Sequence, residues 1–313
     1  MLKRLTCLLL ACVCLFTCAA VAETEREPNP IEVIPYDQLP EPHEGQHHYL
    51  LLCAGDNWVV DPDKLTHVDG MVLLTLDTRS QRVMITSLIR DALVVRPDGK
   101  IGRINNIAKE WGPEALMKTI SEHLGVKIEK YILFSMKQVA NIIDHLGGVE
   151  ITVDSSEALY LRKYPLDAHQ TSPRMGYAGT YTFYGRAAVI YMRIRKAGTG
   201  GDFTRTQRVR TVLSTLADTC RNITHEQAES LLDSIVENNL LTNMNMQDML
   251  QAMEQAFSLR HCTVEELRIP PEGAYHPLTY ASMATQELDW NACRASMQNF
   301  LSSSFLVLDD EEE

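Results

Sequence analysis

An α/β domain with helices on both faces of a sheet is the fold class the sequence predicts. Short apolar, β-rich runs alternate along the chain with stretches of helical periodicity. The 313 residues are 45% apolar and 22% charged, an ordinary globular balance with enough chain for one large domain. No internal repeat and no second domain boundary interrupts the pattern.

The elements are read in order. Residues 48–54 form a short apolar run that predicts a buried strand. Residues 71–76 and 82–88 are two further β-rich runs, and Asp77-Thr78-Arg79-Ser80 between them reads as a hairpin turn. Leu116, Ile120 and Leu124 recur at helical spacing within residues 113–124, and Gly125 ends that helix. Residues 131–134 are strand-like. Val139, Ile142, Ile143 and Leu146 make a helix face stopped by Gly147-Gly148, and residues 149–153 alternate as a strand. Helical patterns follow at residues 205–219, 226–237 and 246–257. A strand at 264–269 precedes a last helix near 290–301.

The N-terminal residues bear on compartment. Lys3 and Arg4 precede an uncharged stretch, residues 5–22, which reads as the n- and h-regions of a signal peptide. Ala20-Val21-Ala22 fits a small-x-small cleavage site, while 18 apolar residues also suffice for an uncleaved anchor. Cys18 offers a weaker lipoprotein reading, because Thr17 before it is bulky. All these readings place the body of the protein outside the cytoplasm, secreted or anchored to the cell membrane. Residues 23–46 hold five prolines and many acids and read as a linker. The domain is expected over residues 47–308, with an acidic tail at 309–313.

Four cysteines fall outside the N-terminal segment: Cys53, Cys220, Cys262 and Cys293. Their spacing matches no zinc motif. Cys53, in an apolar run, reads as a buried thiol; the other three leave room for one disulfide.

The formal net charge of −12 argues against a general nucleic-acid binder. Against that background, residues 186–210 hold six arginines, Lys196 and one acid, Asp202, a local charge of +6. Arginine suits planar, paired recognition of phosphate oxygens. A solvated basic face would use lysine freely, and here lysine is nearly absent. Arg193 and Arg195 share one face only if the chain is extended there, so the helix begun near Gly185 is expected to loosen by about Met192. Asp202 is placed to cap the next helix, and Val209, Val212, Leu213 and Leu216 give that helix a buried stripe. Arg205 lies one turn before Val209, over the edge of the core. Asp56 follows one strand and Asp69 begins the next; two carboxylates there suit a magnesium ion held against a pyrophosphate. Arg90-Asp91 ends the third strand. No GxSxG, HExxH or Walker motif points to another chemistry.

The order of these pieces resembles the LytR-CpsA-Psr family of bacterial cell-wall glycopolymer ligases. The likeness runs from about Tyr49 to Val209, with a weaker echo through Leu301. It is carried by Leu50-Leu51-Leu52-Cys53-Ala54-Gly55-Asp56, by Asp69, by Ile89-Arg90-Asp91 and by Arg103-Ile104-Asn105. Tyr131, Asp144-His145-Leu146-Gly147-Gly148-Val149, Tyr191-Met192-Arg193-Ile194-Arg195 and Asp202-Phe203-Thr204-Arg205 complete it. The resemblance implies a three-layer α/β/α sandwich with a central mixed sheet. It implies transfer of a phosphoglycosyl chain from a polyprenyl-pyrophosphate carrier to a peptidoglycan hydroxyl at the membrane surface. Asp56 and Asp69 match the family's acids near magnesium. Arg90, Arg193, Arg195 and Arg205 match its pyrophosphate-gripping arginines, and Asp69 is also a candidate base. The chain departs from the family at His67 (usually arginine), Gly70 (threonine), Ile89 (proline) and Val209 (glutamine). Two phosphate-facing donors are thereby lost, so either Arg208 or Arg210 compensates or activity falls. A catalytically weakened binder of lipid-linked pyrophosphate or wall polymer is the alternative.

Overall fold

The structure, a computed structural model, describes residues 26–55, 58–164, 177–195, 201–236 and 240–303, with residues 232–236 described by backbone alone. Strand β1 (Gln46–Ala54) lies centrally, between β2 (Val68–Asp77) and β6 (Lys130–Phe134). Beyond β2 come β3 (Arg82–Leu88) and β10 (Thr263–Ile269), and beyond β6 comes the short β9 (Leu241–Thr242). β1 runs parallel to β6 and β3 to β10; the other neighbours are antiparallel. The expected mixed sheet is therefore present, with six strands.

The period-2 geometry of a strand sends neighbouring side chains to opposite faces. On one face Leu50, Leu52, Leu73 and Leu133 pack against α2 (Pro113–Leu124) and α9 (Trp290–Ser302). On the other, Tyr49, Leu51, Leu74 and Ile132 pack toward α8 (Met246–Ser258). This is the three-layer arrangement. A satellite core joins the hairpin β7 (Val149–Val153) and β8 (Gly179–Phe183) to α4 (Ser155–Leu161), α5 (Gly185–Met192) and α6 (Gly201–Cys220). The helix α3 (Met136–His145) packs on α5.

Local chemistry fixes the ends. Pro113 opens α2 with its φ already set, and Gly125 closes it at φ 70°, a left-handed conformation that favours glycine. Ser135 and Gln138 form a reciprocal capping box at α3. Helix α5 stops at Met192, as the spacing of Arg193 and Arg195 required.

Several elements differ from expectation. The hairpin β4 (Leu93–Val95) and β5 (Ile101–Arg103) and the short α1 (Ile107–Trp111) carry too few residues to show a period. In the hairpin β11 (Tyr275–Tyr280) and β12 (Met283–Leu288), Pro277 argues against a strand, yet it is accommodated in a two-stranded ribbon. Helix α7 (His225–Val236) matches its expected range within a residue. Residues 26–46 do not run free as a linker but strap the domain. Ile34 N–H donates to Glu122 O at 3.1 Å, Tyr36 Oη–H donates to Ile128 O at 2.7 Å, and Leu39 is buried. Cys220, Cys262 and Cys293 are all free thiols, so the expected room for a disulfide is not used. The N-terminal segment 1–25 and the tail 304–313 lie outside the described residues.

Candidate active site: an arginine cluster at the mouth of an apolar cavity

The site is built on a defect in the sheet. Cys53 pairs with Gly70 and Ala54 with Val68, which leaves Asp69 without a partner across the β1–β2 ladder. A bulge of this kind re-aims the extra side chain. The Asp69 carboxylate lies against Gly55, where an added Cβ would stand 2.6 Å from Asp69 Cγ, so only glycine fits. The usual threonine at position 70 is also hard to place: a Cβ on Gly70 would stand 3.1 Å from Cys53 Cβ.

Three arginines converge on Asp69. Arg90, just beyond β3, binds Oδ1 through Nη1. Arg195 Nη2 lies 3.5 Å and Arg205 Nη1 3.6 Å from Oδ2. A second carboxylate, Asp202 in the first turn of α6, bridges two of them: its Oδ1 lies 3.2 Å from Arg90 Nε and 3.1 Å from Arg205 Nε. Arg193 donates from Nη1 to the Gly55 carbonyl and lies 3.3 Å from Met136 Sδ. Asp91 pairs with Arg103 beside Arg90. Phe203 packs on Tyr275 of β11, ring centres 4.4 Å apart, which fixes the start of α6.

Burial alone raises the Asp69 pKa, but the charges of Arg90, Arg205 and Arg195 outweigh it and hold the carboxyl below its ordinary value. Burial brings the Arg205 guanidinium down to about 10, against the support of Asp202, so it stays cationic at neutral pH. Cys53, next to these charges but enclosed, is pushed up to about 11 by burial and remains a thiol.

Arg193, Arg195, Arg205 and Arg90 are thus brought together as the sequence suggested. Arg208 is not. It is 3% exposed, its Nε lies 2.7 Å from Glu157 Oε1, and its Nη1 donates to Ile194 O at 2.9 Å. Three residues on, about 60° short of a full turn from Arg205, it reaches the satellite core, so its expected contact with pyrophosphate is corrected to a scaffold role. Arg210 likewise bonds Glu266 and Ser87. Neither replaces the donors missing at His67 and Val209. Asp56 lies outside the described residues. Among the described residues, no group of three or more His, Cys, Asp or Glu side chains is placed to hold a metal ion.

Behind the cluster lies a cavity of about 270 Å³. Asp69, Arg193 and Arg205 edge it; Leu51, Val72, Phe134, Val139, Val209 and Val212 are among its apolar walls. The stripe read as core on α6 in fact lines a void. Two features escaped the sequence: this cavity, and Asp202 as a shared counter-charge rather than a cap. The Asp-x-x-Arg spacing of Asp202 and Arg205 was the available signal for the second.

The chain is similar to known proteins along most of its length. The model of the LytR_cpsA_psr family matches residues 23–297. The polyisoprenyl-teichoic acid–peptidoglycan teichoic acid transferase TagU of Bacillus licheniformis is 27% identical over 60% of this chain and 58% of its own length. Biofilm regulatory protein A of Streptococcus mutans is 24% identical over 57% of this chain and 45% of its own. The matched region therefore spans only about half the length of these relatives. TagT bound to LI-WTA superposes with a TM-score of 0.65 at 20% identity, covering 88% of this chain and 96% of TagT. With the family match running over most of its length, the chain belongs to the LytR-CpsA-Psr family.

Proposed function

We propose that the protein is an extracytoplasmic phosphotransferase that moves a glycopolymer from a polyprenyl-pyrophosphate carrier to a peptidoglycan hydroxyl. The observation that carries this reading is the apolar cavity ending in an arginine cluster, which suits a ligand with an apolar tail and an anionic head. The names of the teichoic acid transferases among its relatives support the same class of reaction.

In this reading the pyrophosphate oxygens compete with Asp69 and Asp202 for Arg90, Arg195 and Arg205. Arg193 lies at the same mouth, within reach of a bound head group. Such a transfer relies on charge neutralisation and in-line positioning more than on covalent catalysis. Once the arginines turn to the phosphates, Asp69 is released from its ion pairs. Asp69 then orients the acceptor hydroxyl and takes its proton. The hydroxyl oxygen bonds to the glycan-side phosphorus, the pyrophosphate P–O bond breaks, and polyprenyl phosphate leaves. Asp69 and Asp56 would hold magnesium, which prefers hard oxygen ligands of this kind. The ion would supply further neutralisation of phosphate charge.

The test is release of polyprenyl phosphate from a synthetic pyrophosphate-linked glycan, with peptidoglycan and magnesium. Release that Arg205→Ala abolishes supports the proposal. Tight lipid binding without release would favour the second reading, a weakened binder. Val209 in the cavity wall favours that reading, as does the locking of Arg208 and Arg210 in ion pairs, because no donor then replaces the missing glutamine.

A further inference from the structure

We propose that Trp58 and Val59 form a surface that seats the protein on a phospholipid bilayer, beside the mouth of the cavity. The proposal rests on the lipid-carrier reading above and adds the face through which the lipid arrives. Trp58 is 43% and Val59 59% exposed, two large apolar residues in succession. They are held outward by a fixed loop: Lys137 N–H donates to the Trp58 carbonyl at 2.9 Å, and Val60 packs into the main core. The next residue along from Lys137 is Met136, which lines the cavity and touches Arg193. Exposed Lys137 adjoins the apolar pair, and tryptophan beside a cationic side chain is the composition of a membrane interface.

Read as an uncleaved anchor rather than a cleaved signal peptide, residues 5–22 hold the domain close to the bilayer. The apolar sequence 5–22 ends four residues before Arg26, a span of at most about 14 Å when extended. Arg26 is then clamped by Glu287, whose Oε1 also accepts from Asn29 N–H at 2.7 Å. The adjacent Gln286 N–H donates to Asp91 O at 2.8 Å, and Asp91 lies 3.7 Å from Arg90 Nε. The clamp, the arginine cluster and the Trp58 loop are thus linked through a few direct contacts. With residues 5–22 kept as an anchor, the domain stays within a short reach of the lipid from which its proposed substrate comes. Asp61 and Asp63 follow the pair, so seating relies on apolar insertion more than on attraction to anionic headgroups.

The experiment uses the full chain in vesicles of brominated phosphatidylcholine, with unbrominated vesicles as reference. Bromine on the acyl chains quenches only tryptophans that enter the bilayer. Quenching in the wild type that vanishes in Trp58→Phe supports the proposal; no quenching, or equal quenching in both, overturns it. The variant carrying Trp58→Ser and Val59→Ser should bind polyprenyl pyrophosphate in detergent micelles with wild-type affinity. It should extract the same lipid from vesicles at least 10-fold more slowly. Unchanged extraction overturns the proposal. Absence of micelle binding in the wild type would instead sink the lipid-carrier reading, while the quenching result still decides the docking. Loss of a dimer in the double variant, without quenching in the wild type, would assign the face to a second copy and also overturn it.

Discussion

Arg205 and Arg208 lie one turn apart on helix α6 and are almost equally buried, 4% and 3% exposed. Their surroundings differ in arithmetic. Around Arg205, three arginines (Arg90, Arg195, Arg205) share two carboxylates (Asp69, Asp202), and Arg193 binds the Gly55 carbonyl beside them; with the neighbouring Asp91–Arg103 pair, five arginines face three carboxylates among the described residues, an excess of 5 − 3 = +2. Arg208 is paired with the carboxylate of Glu157 and donates to a carbonyl, with the satellite core packed around them. Two arginines of the same helix can thus serve opposite ends. On the proposed reading, a cluster in which cations outnumber acids beside a cavity takes an anion. An ion pair inside packed side chains already has its partner.

The sharpest way to break this contrast is at Glu157. Glu157→Ala strands the Arg208 charge in a buried setting and should cost about 3–5 kcal/mol of stability, read by urea unfolding. A loss under about 1 kcal/mol would place Arg208 among ordinary surface charges. The next effect separates scaffold from site by pH. His123 is buried, its Nδ1–H donates to Thr119 O at 2.7 Å, and its Nε2 accepts from Val95 N–H at 3.0 Å. Burial lowers its pKa from 6.5 to about 4, so the unfolded chain takes up the proton first. Stability from this group is complete above pH 6.5 and falls as the pH drops toward 4, by about 3 kcal/mol in total. His48, also lowered to about 4 by burial, acts in the same window. Asp69 works lower: its depressed carboxyl contributes above its ordinary 3.8 and is lost only as the pH falls through its lower folded value. Urea midpoints at pH 7 and pH 4.5 check the histidine part, and equal midpoints would contradict it. The smallest effect expected is at Val209. Val209→Gln returns a polar donor to the cavity mouth and should tighten pyrophosphate-lipid binding by about 0.5–1.5 kcal/mol in a titration. Weaker binding would mean the wall at that position serves the apolar tail alone.

Much of the fold was legible because its boundaries are written in local chemistry. Residues 82–88, 113–124 and 149–153 match the observed elements to the residue, since turn residues, Pro113, Gly125 and Gly147-Gly148 punctuate them. The β4–β5 and β11–β12 hairpins were not legible, the first for shortness and the second for Pro277. At the site, Arg193, Arg195 and Arg205 were readable as a charge anomaly, and Asp69 and Arg90 as strand-end residues with family spacing. Arg208 was misread because its partner, Glu157, is 51 residues away in sequence and pairing at that range leaves no periodic trace. The cavity was hidden for a related reason. Val209, Val212, Leu213 and Leu216 repeat as a helix stripe whether they meet a packed core or an empty volume.

The most direct measurement of the central claim is a binding cycle on the arginines that share Asp69. Wild type, Arg195→Ala, Arg205→Ala and the double variant are titrated with a polyprenyl pyrophosphate, with each protein's fold checked by its urea midpoint. Each single substitution should weaken binding by about 1.5–3 kcal/mol, the value of a charge-assisted hydrogen bond. Because both guanidinium groups act on one anion, the double variant should depart from the sum of the singles by at least about 0.5 kcal/mol. Wild-type affinity in both single variants would contradict the account, leaving the cluster a set of mutually satisfied surface charges.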